Sequence, residues 1–130
     1  MRRDESRYPR DWFRIGDKEL ARAYNLLHLG DLEGAGINIQ QATEKYLKGY
    51  LLAQGWELRR IHDLETLLNE AMAYDSSFEE FRGACQKINQ YYLEERYPFI
   101  IHSDLNESEI NESLNSAEKI MRKIREAVER

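Results

Sequence analysis

Positive charge is scarce in this chain, and so are proline, cysteine and long apolar runs. Lys and Arg number 19 against 24 Asp and Glu, a net charge of −5. A protein that holds nucleic acid by bulk attraction carries the opposite sign, so any such contact must come from a local basic patch. The candidates are Arg59 and Arg60, Arg96, and Arg122-Lys123-Ile124-Arg125. Each also reads as an ordinary solvated helix face or loop. No apolar run approaches the ~20 residues that a membrane helix needs. Met1-Arg2-Arg3-Asp4-Glu5 is followed by no apolar stretch, so it does not read as a signal peptide. The single Cys85 excludes an internal disulfide framework. Together these absences lead us to expect a cytoplasmic protein without a membrane segment.

What is present fits one globular domain over residues 1–130. The chain is 42% hydrophobic and 33% charged, which is not the balance of a disordered segment. A chain of this length can bury about two-thirds of its unfolded surface. The two prolines, Pro9 and Pro98, leave the stretch between them free to be helical.

Apolar periodicity predicts five helices and no strand. The first runs from about Asp11, as N-cap, to Leu29, with Phe13, Leu20, Tyr24 and Leu27 on its inner stripe. Gly30 suits the left-handed position that closes it. Asp31 caps the second helix, from about Leu32 to Gln54. That helix is apolar on two sides and should lie between neighbours. The third runs from about Asp63 to Tyr74. Ser76 and Ser77, each with a Glu three residues on, predict the start of the fourth. Its stripe is Phe78, Phe81, Cys85, Ile88 and Tyr92, and it ends near Arg96, before Pro98. Asn106 with Glu109 opens the fifth, whose seam is Ile110, Leu114, Ala117, Met121, Ile124 and Val128. The fold class is therefore all-α, an up-and-down antiparallel bundle of about five helices.

Two segments carry groups suited to chemistry. In Arg96-Tyr97-Pro98-Phe99-Ile100-Ile101-His102, a permanent cation and a titratable imidazole flank a helix break. Cleaving RNA without a metal needs a base for the 2′-hydroxyl proton and a cation for the charge that builds on phosphate oxygens. His102 and Arg96 can serve in those roles, and a symmetric dimer would double the set. Arg96 equally suits a pair with Glu94 or Glu95, or a cap on the last carbonyls. His102 equally suits the edge of the core. Upstream, Glu44 and Lys48 stand in the favourable order for a helical ion pair on a half-exposed face. Lys45 and Lys48 could instead reach a phosphate. Tyr91, Tyr92 and Tyr97 could stack on RNA bases or simply pack. Asp63 has an immediate role as N-cap, and His62 beside it reads as structural. The three histidines show no metal spacing, so we expect neither metal nor cofactor.

Gln41-Ala42-Thr43-Glu44-Lys45-Tyr46-Leu47-Lys48, the His62-Asp63 turn, and Arg96 followed by His102 together resemble the HEPN family. These are small helical nucleotide-binding domains of prokaryotes and higher eukaryotes. The resemblance runs from about Trp12 to the C-terminus. It implies a metal-independent endoribonuclease site at a dimer cleft, with Arg96 and His102 catalytic. Lys45, Lys48, Tyr92 and Tyr97 are the implied nucleotide- or RNA-binding residues. Arg96-Tyr97-Pro98 resembles a branch often encoded beside a minimal nucleotidyltransferase. That implies the HEPN component of a toxin–antitoxin pair, with a homodimer and a nucleotidyltransferase as partners. Tyr97 stands where active members carry Asn, Asp or His, and Asp104 where a toxin variant carries Tyr. These departures keep open a non-catalytic subunit that binds nucleotide, RNA or protein.

Overall fold

A computed structural model describes residues 6–96 and 105–129, with only the backbone described at 93–96. Its helices are α1 (Pro9–His28), α2 (Leu32–Ala53), α3 (Leu64–Met72), α4 (Arg82–Arg96) and α5 (Glu107–Val128), with a 3-10 turn at Ser76–Phe81 ahead of α4. Among the described residues there is no strand. This is the all-α bundle that the periodicity predicts.

Helix α2 is the centre of the bundle and packs against α1, α3, α4 and α5. Its apolar residues on two sides explain this position, since each side needs a neighbour to cover it. Ala35, Ile39, Ala42, Tyr46, Leu47 and Leu51 are fully buried. Helix α1 folds back along α2 after Leu29, Gly30 and Asp31, and Gly30 has φ +83° as the sequence predicts. Helix α4 comes close to α2 at Gly36. A Cβ there would meet Tyr91 Cγ at 3.0 Å. The missing side chain lets the Tyr91 ring lie on the α2 backbone.

The caps at Asp31, Asp63 and Asn106 form as predicted, each accepting from a backbone N–H in the first turn. Each such cap contributes about 1 kcal/mol. Other local details differ from the sequence reading. Helix α1 begins at Pro9, which is well suited to a first helical position, and Tyr8 caps it without a side-chain bond. Asp11 lies inside the first turn and accepts from Ser6 Oγ at 2.6 Å. The buried positions of α1 are Trp12, Gly16, Leu20 and Ala23; of the predicted stripe, Leu20 is buried, Phe13 and Leu27 are half-buried against the core, and Tyr24 is exposed. Trp12 sets that register: its indole is 2% exposed and donates to the Ser6 carbonyl at 2.7 Å. Tyr24 is turned out to 41% exposure. The segment before α4 is a 3-10 turn capped by Asp75, which accepts from Ser77 N–H. On α4 the inner tyrosine is Tyr91, and Tyr92 is half-buried. On α5 Ile120 takes the inner place predicted for Met121.

Candidate functional site

The polar centre of the molecule lies on α2. Gln40, Glu44 and Lys48 form one row at four-residue spacing, and Gln41 and Lys45 form the next. Lys48 Nζ lies 3.0 Å from Glu44 Oε2, and the two side chains are 4% and 3% exposed. The sequence reading put this pair on a half-exposed face. It is buried, because α2 is covered on nearly every side. Lys48 Nζ also lies 5.5 Å from the centre of the Trp12 ring, so α1 supplies an aromatic face to the same cation.

The second row is bound as closely. Lys45 donates to Gln41 Oε1 at 3.1 Å and pairs with Glu19 of α1 at 3.5 Å. Gln41 donates to Gln40 Oε1 at 2.6 Å, and Gln40 donates to the His62 carbonyl at 3.3 Å. Burial pushes the Glu19 carboxyl above its ordinary value, with Lys45 pulling the other way. Among the described residues, Glu19 Oε2 is buried without a hydrogen-bond partner.

One member of this belt reaches solvent. The His62 side chain is 61% exposed, and its Nδ1 lies 3.2 Å from both Glu44 oxygens. A carboxylate there suits the tautomer that carries its proton on Nδ1. Sequence reasoning took His62 as structural, because only the fold brings residue 62 onto Glu44. The turn that carries it is fixed on both sides. Asp63 accepts from Thr66 N–H at 2.9 Å, from Thr66 Oγ1 at 2.7 Å and from Asn89 Nδ2 of α4. Burial raises the Asp63 pKa, but these hydrogen bonds outweigh it and hold the carboxyl below its ordinary value. Asn89 Oδ1 in turn accepts from Leu64 N–H at 3.1 Å.

Asn89 therefore ties the His62 turn to α4, the helix that ends at Arg96. The Arg96 backbone lies about 10 Å further along that helix than Asn89. Its side chain, Tyr97 and His102 fall outside the described residues. Of the other candidates, Tyr92 is half-buried on α4, and Tyr91 is buried with its hydroxyl 2.7 Å from Ser113 Oγ. Lys45 and Lys48 share the belt, each engaged with a carboxylate. Cys85 is fully buried, and burial pushes its thiol up to about 12, so it is no nucleophile at neutral pH. Among the described residues, no group of three or more His, Cys, Asp or Glu is placed to hold a metal ion. No helix among them is long and apolar enough to cross a membrane.

Comparison with known proteins gives a consistent picture. A family profile described as the HEPN domain matches residues 9–127. The crystal structure of TT1696 from Thermus thermophilus superposes with a TM-score of 0.81 at 30% identity, covering 91% of this chain and 96% of that one. The structure of ST0689, an archaeal HEPN homologue, gives a TM-score of 0.76 at 25% identity, covering 93% of this chain and 98% of that one. No curated protein matches the sequence. The matches support a nucleotide-binding or ribonuclease-like helical domain.

Proposed function

This chain belongs to the HEPN domain family, and from that premise we propose that it is a metal-independent endoribonuclease with a composite site in a homodimer. The observation that carries the reading is the order of Arg96 and His102. Arg96 closes α4, and His102 follows in the connection that leads to α5. A guanidinium at the end of a rigid helix is a suitable anchor for phosphate.

In this reading the 2′-hydroxyl attacks the neighbouring phosphorus while His102 of one copy takes its proton. The P–O5′ bond breaks, and the second copy's imidazole returns a proton to the leaving oxygen. The products are a 2′,3′-cyclic phosphate and a 5′-hydroxyl. Arg96 offsets charge on the non-bridging oxygens, and Tyr92 and Tyr97 stack on bases. Lys45 and Lys48 are the remaining candidates for RNA contact, and each must leave its carboxylate to make one. The same reading assigns the protein to a toxin–antitoxin pair with a minimal nucleotidyltransferase as its partner.

The test is RNA cleavage by the purified protein in EDTA, beside Arg96→Ala and His102→Ala. Cleavage lost in both folded variants supports the reading, and cleavage unchanged in either sinks it. A monomer by light scattering at micromolar concentration removes the composite site.

A second reading, a non-catalytic binding subunit for a nucleotidyltransferase, is favoured by Tyr97, by Asp104 and by the internal pairing of Lys45 and Lys48. A folded parent protein that leaves RNA intact yet binds a nucleotidyltransferase would establish it.

A further inference from the structure

Helix α1 carries Arg10, Arg14, Lys18 and Arg22, one cation at every fourth position. All four are exposed. Residues four apart are neighbours on a helix, so the cations form a continuous ridge. Each step advances about 6 Å, and the whole ridge spans about 18 Å. In a chain of net charge −5, this is a local reversal of sign.

The carboxylates on this side of α1 are already engaged. Asp17 accepts from the Tyr46 hydroxyl at 2.7 Å and pairs with Arg125 of α5. Asp11 accepts from Ser6 and lies 3.5 Å from Arg14. Lys18 and Arg22 make no ion pair among the described residues. An exposed aromatic ring stands at one end of the ridge: Tyr8, 61% exposed, has the Arg10 guanidinium 5.9 Å from its ring centre.

We propose that this face of α1 is a track for the phosphate backbone of single-stranded RNA. The proposal rests on the RNA reading above and names where the strand lies outside the Arg96–His102 segment. A line of cations with an aromatic ring beside it is a way single strands are held without base readout. The step between cations is similar to the distance between neighbouring phosphates on an extended strand. A membrane surface fits less well. The apolar face of α1, with Trp12, Leu20 and Ala23, is buried against the bundle and cannot enter lipid.

The experiment is fluorescence anisotropy with a short labelled 2′-O-methyl oligouridylate. This probe lacks the hydroxyl nucleophile, so binding is read without cleavage. Lys18→Glu/Arg22→Glu should weaken binding about tenfold or more. It should also make the slope of log affinity against log salt shallower by about 1.4, since each phosphate contact contributes about 0.7 on single strands. Lys119→Glu/Arg122→Glu reverses as many exposed cations on α5, where Arg122 is already paired with Glu118 at 3.1 Å, and should change affinity little. Circular dichroism checks the fold of both variants. Equal loss in the two variants overturns the track in favour of bulk charge. No loss in the ridge variant overturns it as well. So does a parent protein that binds phosphatidylserine vesicles but not the oligonucleotide. Ridge-dependent binding by a protein that does not cleave RNA supports the track while the cleavage reading fails.

Discussion

The cations of α2 and of α1 differ in surroundings far more than in type. On α2, Lys45 is half-buried and Lys48 buried, and they are paired with Glu19 and Glu44. On α1, Arg10, Lys18 and Arg22 project into solvent, and the nearby acids are held elsewhere. The α2 lysines make the interior specific, whereas the α1 cations leave a field open to a partner. A basic residue is thus a site candidate only once its carboxylates are accounted for.

The sharpest way to break this comparison is Lys48→Ala. It leaves the Glu44 carboxylate buried without its cation and removes the contact with Trp12. Breaking a buried pair in this way costs about 3–5 kcal/mol. Urea unfolding should show the loss as a lower midpoint at an unchanged slope. Replacing the pair by apolar residues, Glu44→Leu/Lys48→Met, should cost much less, because no buried charge is orphaned. Equal losses in the two variants would mean that the pair itself, not the orphaned charge, stabilises the bundle.

Tyr46→Phe is smaller and probes the link between the two regions. The Tyr46 hydroxyl holds Asp17 against the bundle and away from the ridge. Burial, followed by the hydrogen bond to Asp17, raises the pKa of this phenol, so it stays a donor at any ordinary pH. Asp17 keeps Arg125 and is about half exposed, so solvent weakens the hydrogen bond. We expect a loss of about 1 kcal/mol by urea unfolding.

The sequence carried the bundle because α2 and α5 repeat their apolar residues over long stretches. The caps at Asp31, Asp63 and Asn106 were legible because each needs only a local partner. The stripe of α1 was not. Phe13 and Tyr24 look as apolar as Trp12 and Ala23, and only the Trp12 bond to Ser6 and the fit of Gly16 against Tyr46 select the register. The α2 segment was legible as a polar row, but not as a buried one. Burial depends on four neighbouring helices, and pairing with His62 and Glu19 depends on contacts distant in sequence. The ridge lay in plain view as a four-residue repeat. It is missed when basic residues are sought as runs rather than as helical rows. The Arg96–His102 segment lies mostly outside the described residues, and its chemistry still rests on the order of its residues.

The pH dependence separates belt from caps by sign. Asp63 and Asp75 have depressed pKa values, so their stabilisation is present above about 3.9 and is lost as pH falls through their lower folded values. Glu19 is the opposite case. With its folded pKa raised, its contribution is whole below about 4.3 and is lost as pH rises through the raised value. Stability should therefore fall at the acid end and also step down as pH rises above about 4.3, without recovering at higher pH. Glu19→Gln should remove the step and leave the acid limb. Urea midpoints taken across this range read both, and a step that survives the substitution would assign it to another group.

The smallest effect tests whether the ridge has a structural role. Lys18 is exposed in the middle of α1, and alanine is at least as good a helix former. Lys18→Ala should change stability by less than about 0.5 kcal/mol, as surface substitutions away from caps and pairs do. It also removes one like charge from a row in which Arg14 and Arg22 are its fourth neighbours. That relief offsets any packing lost along the lysine stem. A loss above about 1 kcal/mol would mean that the Lys18 stem covers apolar surface, and the cation would then be an ordinary part of the α1 exterior. A neutral result leaves its charge without a structural use, which is the condition under which a ridge of cations is available to bind.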